Sequence, residues 1–363
     1  MNMRIVSAKL SLAAIPVSLL TLSAILTQHH GPYYLRNNFD PEYNYLLNSL
    51  NLLTLHSPAH TDHPGTTLQI LGAAVVWLQW LGGYLMGRRE ALREAVLSHP
   101  EEYLRGMNFV LNVLISGALY RAASAIHRVS KSITAAMLLQ ITVLVYLQTF
   151  IALTRVSPEP LLIAAALALM IPMAPMVLSR EGVEANGGRL AAAAGVLFGF
   201  GLITKVTFAP LAAVVLLFPH RKRRFAWAAA STVLLLLLPI APRLPAMASW
   251  LGSLVVHSGQ YGQGRIGIPE ANAVAANIIS LWPDQLPLFL FLGLYAMGLF
   301  RRVGPKPDGE RRLLIAACIA IAAEGVMVAK HPATHYLVPA LVLTAFVNAA
   351  LWRRRHAAQW SWR

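Results

Sequence analysis

Long apolar runs follow one another down this chain, and the polar residues between them gather in short clusters rather than alternating with apolar ones. Runs of roughly 18–21 residues, at 1.5 Å rise per residue, reach across a hydrocarbon core of ~30 Å, so the pattern predicts membrane-spanning helices. Seven such runs fall at 9–27, 107–126, 133–153, 160–178, 225–244, 313–330 and 335–352, and shorter runs at 190–204, 206–219 and 286–300 are read as spans as well. The expected fold is an all-α polytopic membrane protein with about 10 transmembrane helices. It forms a single integral membrane domain over 1–363, and the segments left outside are 28–106, the turn 154–159, and 245–285.

Two placements exist for 66–87. It either crosses the membrane, so that 190–219 is one long span, or lies along the outer face, so that 190–219 turns near Lys205 as two short spans. Arg and Lys are divided equally between the two placements, and the second is preferred because it alone sets Glu159 and Lys205 on the same side as Asp40. The first run follows Arg4 and Lys9, as a signal peptide would, but it has no convincing small-x-small cleavage site, so it is read as a retained span with a cytoplasmic N-terminus.

Composition agrees with the pattern: 56% of residues are hydrophobic and 12% charged, with a mean hydropathy of +0.56. A net charge of +15 would suit a nucleic-acid partner. The basic residues nevertheless sit in clusters such as 220–224, 301–302 and 353–355 between apolar runs, which marks cytoplasmic anchors and argues against nucleic acid. Cys318 is the single cysteine, so neither an intrachain disulfide nor a cysteine metal site can form. Walker, HExxH, CxxC and nucleophile-elbow strings are all missing, which removes the usual evidence for ATP-driven transport and for serine or zinc hydrolysis.

The chemistry concentrates in the first external loop. Tyr43, Leu46, Leu47, Leu50 and Leu53 recur at helical spacing while Asn44, Asn48 and Asn51 mark another face. This predicts an amphipathic juxtamembrane helix from Pro41 to about Leu55, lying in the interface. Asp40 is its expected N-cap, with Pro41 at the first helical position. The competing assignment is catalytic: Asp40 and Glu42 project from one helix start, where a carboxylate can take a proton from an acceptor hydroxyl. His56, His60, Asp62 and His63 resemble metal ligands superficially but fit no standard zinc spacing. His63, held by Pro64 and Gly65, is either a solvated loop histidine or a group presented to an anion.

Further along, Glu159 precedes an apolar run and either stabilises the following helix, with Pro160 as its first residue, or contacts substrate. Lys205 lies within a long apolar stretch, where an ammonium needs an anion, water or a carboxylate. Lys330, His331, His335 and Tyr336 fall between the last two spans, where a lipid phosphate would lie, although a lysine there can also simply snorkel. Glu324, an acid within a span, is expected to partner a lysine or histidine. The polar segment 257–265 is either a connector or a flap over an acceptor.

Taken in order, Asp-x-Glu-Tyr at 40–43, Asp-His-Pro-Gly at 62–65, Ser-Pro-Glu-Pro-Leu at 157–161, Gly-Leu-x-x-Lys at 201–205 and Lys-His-Pro-x-x-His-Tyr-Leu-x-Pro at 330–339 resemble the GT-C superfamily. The nearest branch holds the protein O-mannosyltransferases and lipid A aminoarabinose transferases. The resemblance implies that Asp40 is the catalytic acid, with Glu42 displaced by the inserted Pro41, and that His63 takes the place of the basic residue before proline. Glu159 then resembles the later acid and Lys205 the lysine of the paired short spans. Gly65 stands where the family has a second proline. The activity implied is transfer of a sugar from a polyprenyl-phosphate donor to a glycan, lipid or protein acceptor, in a bacterial inner membrane with the site facing the periplasm or exterior. Metal use, including a divalent cation, stays open, because Lys205, Lys330 and His331 can supply the charge a leaving phosphate needs. The rival from another class is a transporter or flippase that holds an anionic lipid at Lys205 without making a bond.

Overall fold

The computed structural model describes residues 3–36, 42–59, 61, 65–179, 186–256, 271–300, 308–330 and 332–360. Among the described residues the elements are all helices joined by turns. Eight of these helices are long and apolar enough to cross a membrane, or nine when the bent pair Ile133–Leu144 and Leu147–Leu153 counts as one span. The protein is a polytopic membrane protein. The expected crossings at 206–219 and 286–300 correspond to shorter apolar helices, Val206–Leu217 and Leu286–Leu299.

Hydrogen bonds fix which way the helices run. α1 (Met3–His29) and α5 (Pro100–Ser130) are antiparallel. Thr27 Oγ1 meets Asn108 Oδ1 at one end of the bundle, 3.1 Å apart, while Lys9 and Arg121 line a common groove at the other. α5 begins with Pro100 at its first position and Glu101 and Glu102 in the first turn, and Lys131 closes it in the left-handed conformation at φ 58°. Ser132 then caps α6 (Ile133–Leu144), its hydroxyl accepting from Ala135 N at 3.1 Å.

α6 and α7 (Leu147–Leu153) meet at a 75° bend. The interrupted backbone ladder is patched by Thr149 Oγ1, which donates to Val143 O at 2.7 Å. Tyr146, at the bend, exchanges a 2.6 Å hydrogen bond with Thr344.

α8 (Pro158–Leu178) and α9 (Gly187–Thr204) form the buried middle of the bundle, and a 3₁₀ helix, Val206–Leu217, follows α9 after one extended residue. α10 (Lys222–Leu237) packs parallel to α9 along a seam of small residues. A Cβ on Gly195 would come within 2.2 Å of Phe225 O, and one on Gly199 within 2.6 Å of Ala229 O, so the backbones touch only because both residues are glycine. The remaining helices are α11 (Leu244–Val256), α12 (Ala271–Phe300), α13 (Asp308–Lys330) and α14 (Val338–Trp360). Leu10, Val17, Trp227, Leu234 and Leu235 stay exposed, as side chains facing lipid do.

Three helices lie outside this set: α2 (Glu42–Leu53), α3 (Thr66–Leu85) and α4 (Leu92–Ser98). By length and composition α3 qualifies as a span, but its contacts hold both of its ends at the same end of the bundle. Thr67 meets Thr204 where α9 stops. At the far end of α3, Arg88 pairs with Glu102 in the first turn of α5. Between these points Gly72 abuts Met107 and Gln79 abuts Gly106, so seven residues of α3 cover barely one residue of rise on α5. α3 therefore lies across α5 rather than alongside it.

α2 departs from expectation. Its buried face is Tyr45, Leu46, Asn48, Ser49 and Leu50, whereas Leu47 points outward. The helix packs onto its neighbours instead of resting its leucines in the interface. Asn48 is drawn inside because its Oδ1 accepts Ala59 N at 2.8 Å and pins the loop that follows.

Candidate functional site

α8 starts where Ser157, in extended conformation, leads into Pro158, so the first helical residue is Pro158 and not Pro160 as expected. Glu159 consequently sits in the first turn of α8 and faces the point where α9 ends. There the backbone of Lys205 swings to φ −161° and ψ 138°, and the chain re-enters as the 3₁₀ helix. Lys205 Nζ donates to Glu159 Oε1 at 2.7 Å, and the two residues are only 3% and 8% exposed. A lone charge so buried costs several kcal/mol, so each group requires the other.

The break at Lys205 is held from several sides. Gly65 N donates to Ile203 O at 3.0 Å, and Thr67 and Thr204 exchange a 2.7 Å hydrogen bond. The Lys205 ammonium stands 5.4 Å from the Tyr336 ring centroid. His335 lies edge-on to that ring in the short 3₁₀ turn Thr334–Leu337. Gln148 of α7 reaches the same turn, donating to Thr334 Oγ1 at 2.6 Å.

Four residues before Glu159, a second ion pair ties this segment to α2: Arg155 Nε donates to Glu42 Oε1 at 2.9 Å, with the carboxylate almost fully buried. One short stretch thus carries both pairs, which puts them no more than about 14 Å apart along the backbone. Around it, Arg36 donates to Thr154 O and Gly31 O and lies over the Tyr33 ring at 3.8 Å. Glu101 accepts Tyr33 N and the Tyr43 hydroxyl. Asn108 and Asn112 both donate to Leu153 O. Burial, only partly offset by Arg36, raises the Tyr33 phenol to about 12. Burial and the hydrogen bond to Glu101 raise Tyr43 as well. Both phenols therefore stay neutral near neutral pH and do not serve as bases.

Of the residues singled out from sequence, Glu42, Glu159, Lys205, His335 and Tyr336 come to this one end, and Lys330 closes α13 there. Asp40, His63 and His331 lie outside the described residues, as do Pro41, His60, Asp62 and the segment 257–265. Of the suspected metal ligands, His56 is exposed beside Thr54. Among the described residues no group of three His, Cys, Asp or Glu side chains converges to hold a metal ion. Among the described residues Glu324 meets no cation: both its oxygens accept Ala340 N, at 3.1 and 3.2 Å, which caps the first turn of α14.

Sequence reasoning passed over Arg155 as a partner of Glu42, although a lone arginine beside an acid between two apolar runs is a signal that could have been used. It also passed over Arg36, Glu101, Asn108 and Asn112, which shape the surroundings. Comparisons with protein families, with characterised proteins and with solved structures find no match to this chain.

Proposed function

We propose that this protein transfers a glycosyl group from a polyprenyl-phosphate donor to an acceptor hydroxyl at the end of the bundle that holds Lys205. The observation that carries the reading is the buried Lys205–Glu159 pair at the break after α9, joined through the 155–159 segment to Glu42 at the start of α2. A helix interrupted at mid-sequence by a buried ammonium, beside an aromatic ring and a second ion pair, suits an anionic headgroup entering from lipid. With α3 peripheral, the bent pair as one span and the two shorter apolar helices included, the chain makes ten crossings. The end opposite the site carries Lys9, Arg128, Lys131 and the cluster 221–224, which orients that end to the cytoplasm and the site to the exterior, the periplasm in a bacterial inner membrane.

In this mechanism the acceptor O–H bond breaks and its proton passes to the Asp40 carboxylate. The acceptor oxygen bonds the anomeric carbon from the side opposite the phosphate, with inversion. The carbon–oxygen bond to phosphate breaks, and its electron pair leaves on the lipid phosphate. Lys205, with Lys330, His331 and His63, neutralises that charge, while His335 and Tyr336 line the approach. Glu159 holds the ammonium in position, and Glu42, held by Arg155, fixes the start of α2 next to Asp40.

The test has two stages. Mass spectrometry of envelope glycans and lipids from cells with and without the protein identifies the glycosyl unit that disappears. Purified protein in liposomes is then assayed with that donor. Asp40→Asn is expected to lower transfer by ~10²–10⁴-fold with donor binding intact. Transfer at the wild-type rate overturns the assignment of Asp40. Movement of the donor between leaflets with no product from either protein supports the flippase instead.

A further inference from the structure

At the end of the bundle remote from Lys205, the start of α1, the end of α5 and the start of α6 enclose an open groove of about 1550 Å³. Among the described residues Lys9, Arg121, His127, Arg128 and Lys131 all line it, and no carboxylate does. Nor is one nearby on the same elements: α1 and α6 contain no acidic residue, and those of α5 are confined to its first turn at the opposite end. Among the described residues the side chains of Lys9, Arg121, Arg128 and Lys131 have no ion-pair partner, and the Nδ1 of His127 is buried without a hydrogen bond. Ile133, first residue of α6, also lines the groove, so the positive end of that helix faces the same place.

We infer that this groove binds the phosphate headgroup of an anionic phospholipid from the leaflet on that side. Four unpaired cations and an imidazole around one hollow attract a phosphate. The other wall is apolar, formed by Leu10, Leu12 and Ile133, and Leu10 is 67% exposed on a span that faces lipid. The groove also exceeds the ~300–1,000 Å³ of an ordinary small-molecule pocket, as an amphiphile with a head and a tail requires. A soluble anion would use the cations and leave the apolar wall wet. Basic hollows between helices at the cytoplasmic level are where anionic headgroups settle. The site is separate from the one at Lys205 and stands whether or not the protein is a transferase.

Native mass spectrometry of the purified full chain, exchanged into micelles doped with phosphatidylglycerol or phosphatidylcholine, tests this. Phosphatidylglycerol is expected to be retained through detergent exchange and phosphatidylcholine lost. The exposed-residue variant Arg121→Gln/Arg128→Gln/Lys131→Gln is expected to weaken retention at least 10-fold. Lys9→Gln/Arg121→Gln, spread over two helices, gives a second reading should the triple variant fold poorly. Equal retention by the wild type and both variants overturns the site and leaves only annular lipid. Displacement of the lipid by millimolar inorganic phosphate overturns the lipid in favour of a soluble phosphate ligand.

Discussion

Two apolar helices of this protein are broken, and the breaks are built differently. Between α6 and α7 the chain bends by 75°, and everything that fills the gap is neutral: a threonine hydroxyl on Val143 O and a tyrosine bonded to Thr344. After α9 the gap is filled by an ammonium and a carboxylate, with Tyr336 alongside. A bend that only redirects a helix needs its backbone groups satisfied, and hydroxyls do that at small cost. A charged pair is a poor way to obtain stability, since apolar residues of similar volume often serve as well or better. Under the proposed function the Lys205 break is the one that serves chemistry, whereas the Tyr146 break only redirects the helix.

Substitutions can break this contrast. The largest effect is expected from Lys205→Met, which strands Glu159 in the interior. Transfer activity should fall about 100–1,000-fold, and the protein should lose about 3–5 kcal/mol of stability, read by thermal unfolding in detergent. Activity at the wild-type level would make the two breaks equivalent. Adding Glu159→Leu to Lys205→Met sharpens the point: stability should return to within ~1 kcal/mol of wild type or exceed it, while activity stays lost. Recovery of both would make the pair structural only. At the neutral break, Thr344→Val leaves the Tyr146 hydroxyl unpartnered and should cost ~1–3 kcal/mol with donor transfer unchanged per folded molecule. Thr149→Val is expected to be smaller still, ~1 kcal/mol, for the loss of one hydrogen bond to Val143 O.

The sequence made some of this contrast visible. Lys205 stood out because nothing else in its long apolar stretch is charged, and its burial follows from that alone. Glu159 falls on the same side as Lys205 and Asp40 only under the peripheral placement of 66–87, which is preferred for that chemical reason and not forced by the pattern of runs. What a one-dimensional pattern does not carry is which distant groups touch. Glu42 and Arg155 are 113 residues apart, and Glu324, expected to seek a cation, meets the amide of Ala340 instead. Tertiary contact also overrode local pattern in α2, where Asn48 turned inward to hold Ala59 and Leu47 was left outside. The bend at Tyr146 carries neither proline nor glycine within it, so the apolar run 133–153 read as one straight helix.

The sideways position of α3 bears on how the chain is made. As the polypeptide leaves the ribosome, Thr66–Leu85 emerges early and is greasy enough for the insertion machinery to accept as a membrane segment. The bonds that moor its leading end, from Gly65 to Ile203 and from Thr67 to Thr204, involve residues synthesised more than a hundred positions later. For that interval α3 has α2, α4 and the start of α5 to hold it in place, and the contact that fixes its leading end forms late in biogenesis, when the end of α9 arrives.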